Sequence, residues 1–136
     1  LRVVDALLRD ENYAKAWEKG KDLLEKRNDF SEIRQRMGDI AEELTRYGEA
    51  EEHYKRAISL DEENGKAFHN YANFLKHRGR NMEAREKFEA AIAVSDSPVI
   101  NNDYGLLLFK MGAYAAAASR FERGLELVDS DTMGDI

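Results

Sequence analysis

The chain has no cysteine among its 136 residues. That excludes disulfides and thiolate metal sites, and it leaves the compartment open. Proline occurs once, which predicts long uninterrupted helices, because proline inside a helix breaks the hydrogen-bond ladder. Runs rich in Val, Ile or Thr are few, so strands are not expected. No apolar run approaches membrane-spanning length. Direct membrane insertion is therefore not expected, and a soluble chain is, with the cytoplasm slightly favoured. Basic residues are the minority: the net charge is −6 and the pI near 5.2. Phosphate binding wants a basic surface, so nucleic acid is not an expected partner. The first residue is Leu1 and not Met. Trimming or processing of the N-terminus is expected, and targeting information is lost with it.

What is present is repetition. Four stretches align at spacings of 34, 34 and 33 residues: Tyr13…Ala16…Gly20, Tyr47…Ala50…Tyr54, Asn81…Ala84…Phe88 and Tyr114…Ala117…Phe121. A period in this range means stacked supersecondary units, which usually build a binding surface. Within one unit the apolar residues follow helical spacing. Tyr47, Ala50, Tyr54, Ala57 and Ile58 fall on one face, and so do Ile33, Met37, Ala41 and Leu44. Between them lies a short polar break at Thr45 and Arg46. Later breaks carry Gly79 and Gly112, and glycine just past a helix end adopts the left-handed conformation cheaply. Each repeat therefore reads as two amphipathic helices joined by a tight turn.

Boundary signals agree. Ser97 followed by Pro98 predicts a capped helix start. Asp29 with Glu32 predicts a capping box ahead of Ile33. Small residues recur at Gly38, Ala72 and Gly105, and at Ala50, Ala84 and Ala117, with a ring four residues after each of the latter. A small residue lets the partner backbone approach, and the ring fills the groove beside it.

These residues resemble a tetratricopeptide repeat (TPR) array. The matching runs are Met37-Gly38…Tyr47…Ala50…Tyr54, Tyr71-Ala72…Gly79…Ala84…Phe88, and Tyr104-Gly105…Tyr114…Ala117…Phe121. The first repeat is degenerate, with Gly20 where an aromatic belongs, and its helix is expected to be locally weak. The expected organisation is one domain: a degenerate repeat over 1–30, repeats over 31–64, 65–97 and 98–129, and an acidic tail over 130–136. The resemblance implies an all-α, right-handed α-α superhelix of stacked antiparallel helical hairpins. It also implies a non-catalytic scaffold that binds a peptide or protein along a concave face lined by the first helix of each pair. On this chain the expected contact residues are Arg36, Lys66, His69, Asn70, Asn73, Asn102, Leu106 and Phe109. Asn70 and Asn73 lie one turn apart. Asparagine offers a donor and an acceptor together, which suits the backbone of an extended peptide. The carboxylate clamp that some relatives use for chaperone tails is not matched, because Asp39 and Asp103 would repel a carboxylate.

Val99, Leu106 and Phe109 form an apolar line on a helix that is apolar nearly all round. The outer face of the last hairpin, with Leu107, Met111 and Ala115, is expected to need a cover, and a second copy of the chain is the favoured one. Self-association is thus an alternative to peptide binding. A third reading is a helper domain of a larger assembly or secretion complex. The run Asn101-Asn102-Asp103-Tyr104-Gly105 resembles, with one insertion, a run in pilus-assembly TPR lipoproteins. Asp129, Asp131, Gly134 and Ile136 mimic a calcium loop, but Met133 stands at a ligand position, so a solvated tail is expected. His53, His69 and His77 lack zinc spacing. No Gly-rich phosphate loop occurs. Neither metal, cofactor nor enzymatic activity is expected.

Overall fold

A computed structural model describes the backbone of residues 1–26 and 29–134, and side chains as far as residue 129. Among the described residues there are eight helices and no strand. They are α1 (Arg2–Arg9), α2 (Tyr13–Glu25), α3 (Ser31–Glu43), α4 (Tyr47–Leu60), α5 (Gly65–His77), α6 (Asn81–Val94), α7 (Pro98–Lys110) and α8 (Tyr114–Gly134). Helices alternate with short turns, two per repeat, as the periodicity predicts. The chain divides into two compact units, Leu1–Tyr71 and Ala72–Ile136, with the division inside α5. In the first unit α1 packs on α2, α2 on α3 and α3 on α4. In the second, α6 packs on α7 and α7 on α8.

The turn inside each hairpin uses one device four times. Glu11, Thr45, Gly79 and Gly112 occupy the same position of the repeat, and all have positive φ, at 55°, 59°, 77° and 83°. That left-handed residue ends the first helix and starts the second.

The contact of small residue and ring is literal. A Cβ added to Gly38 would lie 2.7 Å from the Tyr54 ring, and one added to Gly105 would lie 2.6 Å from the Phe121 ring. Ala50, Ala84 and Ala117 are buried as expected. Rings also stack between successive repeats. Tyr54 lies on Tyr71 at 5.6 Å in the first unit, and Phe88 on Tyr104 at 5.5 Å in the second.

The sequence reading needs correction in two places, and at Gly20 it gains a packing partner. Gly20 is buried, and a Cβ there would strike the Met37 thioether. Gly20 and Met37 occupy the repeat positions of the Tyr54/Tyr71 stack, so the sulfur fills the space that a ring fills elsewhere. Asp29 and Glu32 form no capping box. The N-cap of α3 is Phe30 and makes no side-chain cap bond. The Asp29 carboxylate is taken instead by Arg34 at 2.7 Å and Arg56 at 3.3 Å. Leu107 is not on an open outer face. It is fully buried, on the side of α7 that also buries Ile100, Tyr104 and Leu108. The exposed apolar residues of the last hairpin are Val99, Leu106, Phe109, Tyr114, Leu125 and Val128.

Two starts do carry side-chain caps. Ser97 Oγ accepts from the Ile100 N–H at 3.2 Å, with Pro98 first in α7. Asn64 Oδ1 accepts from the Ala67 N–H at 3.1 Å ahead of α5. The acidic run after Val128 continues α8 to Gly134. The calcium-loop residues beyond Asp129 fall outside the described side chains.

Candidate functional site

The first helices of the hairpins carry a recurring polar contact. Arg36 Nε donates to Asp5 Oδ1 at 2.9 Å, joining α3 to α1. Asn70 Nδ2 donates to both oxygens of Asp39 at 3.1 Å, joining α5 to α3. Both contacts lie in the first unit. In the second, Asn73 Nδ2 donates to Asp103 Oδ2 at 3.2 Å. The residues fall in register. Asp5, Asp39, Asn73 and Leu106 share one repeat position, and Arg2, Arg36, Asn70 and Asp103 share another. Each rung pairs the first position of one helix with the second position of the next first helix. Partner identity changes from rung to rung, but a donor always meets a carboxylate.

Asp39 is the most engaged of these groups. Tyr54 Oη donates to it at 2.7 Å and Gln35 Nε2 at 2.8 Å, besides Asn70. Burial pushes its pKa up, against the pull of those donors and of the Lys66 charge. The same burial, with the Asp39 charge, raises the Tyr54 hydroxyl. Asp5 is held below the usual carboxylate range by its bond to Arg36. Gln35 Oε1 in turn accepts from Arg36 Nη1 at 3.0 Å. One connected chain therefore runs Asp5, Arg36, Gln35, Asp39, Tyr54 and Asn70.

The sequence-expected contact residues are distributed as follows. In the first unit, Arg36 is held by Asp5 and Gln35, Lys66 is exposed, and His69 and Asn70 are half-buried. Asn70 commits its amide N–H₂ to Asp39, and its Oδ1 accepts no hydrogen bond among the described residues. In the second unit, Asn73 is half-buried, and its buried Oδ1 accepts no hydrogen bond. Asn102 is exposed. Leu106 and Phe109 are 50% and 59% exposed, and Phe109 meets Tyr114 edge-on at 5.2 Å. Sequence reasoning missed Asp5 altogether. Its signal was the polar pairing at repeat spacing, which single-position comparison with a family pattern does not reveal.

A second cluster lies on the first unit around His53. Arg34 Nη1 approaches His53 Nδ1 at 3.2 Å, Trp17 meets the imidazole edge-on at 5.6 Å, and the Arg46 guanidinium lies 5.1 Å over the Trp17 ring. Burial first, then the Arg34 charge, lowers the His53 pKa. A neutral imidazole with Nδ1 accepting from Arg34 fits both observations. Among the described residues no group of three or more His, Asp or Glu side chains could hold a metal ion, and no helix is long and apolar enough to cross a membrane.

The tetratricopeptide repeat family matches residues 31–64 and 53–86. The chain carries tetratricopeptide repeats. Solved TPR structures superpose on it closely. MamA matches with a TM-score of 0.89 at 18% identity, over 98% of this chain and 78% of that one. The pilF protein of Pseudomonas aeruginosa matches at 0.86 and 22% identity, over 93% of this chain and 58% of that one. YrrB, described as a TPR protein with an unusual peptide-binding site, matches at 0.78 and 16% identity, over 91% of this chain and 64% of that one. At these identities the likeness establishes the TPR fold. No curated protein matches in sequence.

Proposed function

We propose that this TPR chain is a non-catalytic scaffold that binds a segment of another polypeptide on its first helices. On the first unit the contact residues are Arg36, Lys66, His69 and Asn70. On the second they are Asn102, Leu106 and Phe109, with Asn73 acting from beneath by fixing Asp103. The observation that carries the reading is the state of Asn70. Its donors are committed to Asp39 while its Oδ1 stays without a bond, one helical turn from the exposed ammonium of Lys66. An acceptor held rigid by its own scaffold beside a cation suits a peptide N–H together with a ligand carbonyl. Preorganisation of this kind lowers the entropy lost on binding. The peptide-binding site ascribed to YrrB gives a precedent on the same fold.

The test is a titration of the protein captured by the intact chain. Lys66→Glu combined with His69→Ala should weaken binding by about tenfold or more. Neither side chain bonds Asp39, but the Lys66 charge acts on it, so an unchanged circular-dichroism spectrum is read alongside the titration. An unaltered dissociation constant would remove the first-unit site.

A further inference from the structure

One cleft is filled in the first unit and open in the second. Trp17 and Arg85 share a repeat position, and so do His53 and Arg120, and Arg46 and Ala113. In the first unit the Trp17 indole reaches from α2 to α4. It meets the His53 ring edge-on at 5.6 Å, the Arg46 guanidinium lies 5.1 Å over it, and it is 3% exposed. In the second unit both the filling ring and its cover are gone. Arg85 stands in place of the indole and turns to Glu89, with Nε 3.5 Å from Oε1. Ala113 is too short to cover the cleft as Arg46 does.

What remains is a cleft of about 350 Å³ between α6, α7 and α8, lined by Glu89, Ile92, Tyr104, Leu108, Ala116 and Arg120. Ligand pockets span roughly 300–1,000 Å³, so this one suits a single side chain and not a helix. Tyr104 and Leu108 are buried at its base. Its two charges are held by buried neighbours. Tyr104 Oη donates to Glu89 Oε1 at 2.7 Å, and Arg120 Nη1 donates to Asn101 Oδ1 at 3.2 Å, with Asn101 fully buried. Glu89 Oε2 accepts no hydrogen bond among the described residues. A following repeat would not fill this space. In the first unit Asn64 and Tyr71 seat on Ser31 and Tyr54. The equivalents of that seat are Pro98 and Phe121, and neither lines the cleft.

We propose that the cleft between α6, α7 and α8 receives a tryptophan side chain of another polypeptide, as the first unit receives its own Trp17. The indole packs on Ile92, Leu108 and Ala116, its N–H donates to Glu89 Oε2, and the Arg120 guanidinium meets the ring face. An aliphatic side chain fills the same space without the hydrogen bond or the cation–π contact. A second copy of the chain does not supply the indole, because its one tryptophan is the buried Trp17. The site goes beyond the first-helix surface proposed above: Asn73, Asn102, Leu106 and Phe109 do not line it.

Three probes are titrated into the intact ¹⁵N-labelled chain: a capped Gly-Gly-Trp-Gly-Gly peptide, the same peptide with leucine at its centre, and free tryptophan. The tryptophan peptide should shift the amide resonances of Ile92, Leu108, Ala116 and Arg120, with a dissociation constant of about 5 mM or below. It should bind at least about fivefold tighter than the leucine peptide. Free tryptophan should bind no tighter than the peptide. Arg85→Trp, which puts back the ring that the first unit has, should abolish the shifts and add a blue-shifted indole emission. No shift at about 10 mM tryptophan peptide, or equal binding of the leucine peptide, would overturn the proposal. So would shifts that persist in Arg85→Trp. Free tryptophan binding about tenfold tighter than the peptide would overturn it by giving the cleft to a small molecule. A concentration-dependent dimer in sedimentation that both Arg85→Trp and Tyr114→Ala dissolve would overturn it too, and would give the cleft to an exposed phenol of a second copy.

Discussion

Thr45 and Glu11 hold backbone that glycine holds at the equivalent turns, with φ of 59° and 55°. A β-branched residue in the left-handed region is strained. Thr45→Gly should therefore stabilise the fold by about 1 kcal/mol, less the entropy that glycine adds to the unfolded chain. Urea unfolding monitored by far-UV circular dichroism measures this; a loss of stability would mean that Thr45 makes compensating contacts. Asp39 gives a second residue-scale prediction. Its folded-state pKa is raised by burial. The folded chain therefore binds this proton more readily than the unfolded chain does. Its stabilising contribution is greatest in acid and declines as pH rises through 3.8 toward the raised value. The stability difference between the parent and Asp39→Asn should fall from roughly pH 3 toward roughly pH 7. A difference that rises over that range would show that the three donors outweigh burial. Asp5 and Asp29 shift the other way, since Arg36 and Arg34 lower them. Their contributions are lost as pH falls below the ordinary carboxylate value, in the parent and the variant alike.

Helix starts were partly legible because caps are local. Ser97 and Pro98 are adjacent in sequence, and both serve α7 as their types predict. Ser97→Ala should cost about 1 kcal/mol in the same unfolding assay, and no change would mean that Pro98 alone fixes the start. Asp29 was misread because two guanidiniums compete for it: Arg34, five residues on, and Arg56. Arg56 lies a whole helix away, and a carboxylate between two guanidiniums does not turn to a backbone N–H. The hairpins themselves were legible from Ala50, Ala84 and Ala117, whose spacing needs only periodicity. The Gly20 and Met37 pair was not. Its meaning appears only when two positions on different helices are seen to exchange volume. The same holds for Asp5 and Arg36, and for the outward face of α7. Leu107 and Leu106 are neighbours of the same kind in sequence, and only packing decides that one is fully buried and the other half exposed.

Across the molecule the charge is uneven. Residues 32–64 hold ten acids and five bases, and residues 65–97 hold six bases and four acids. Such a distribution acts on a charged partner's approach more than on its final affinity. Among the first helices the described side chains progress from ionic and amide rungs at Arg36 and Asn70 to an apolar rung at Leu106. On the scaffold reading proposed above, polar and apolar ligand segments meet separate surfaces, one on each unit. Hydrogen–deuterium exchange on the intact chain, alone and with the protein it captures, tests the scaffold role most directly. New protection should appear on α3 and α5 of the first unit or on α7 of the second. Protection confined to α2, α4 and α6, with the first helices exchanging as before, would contradict it.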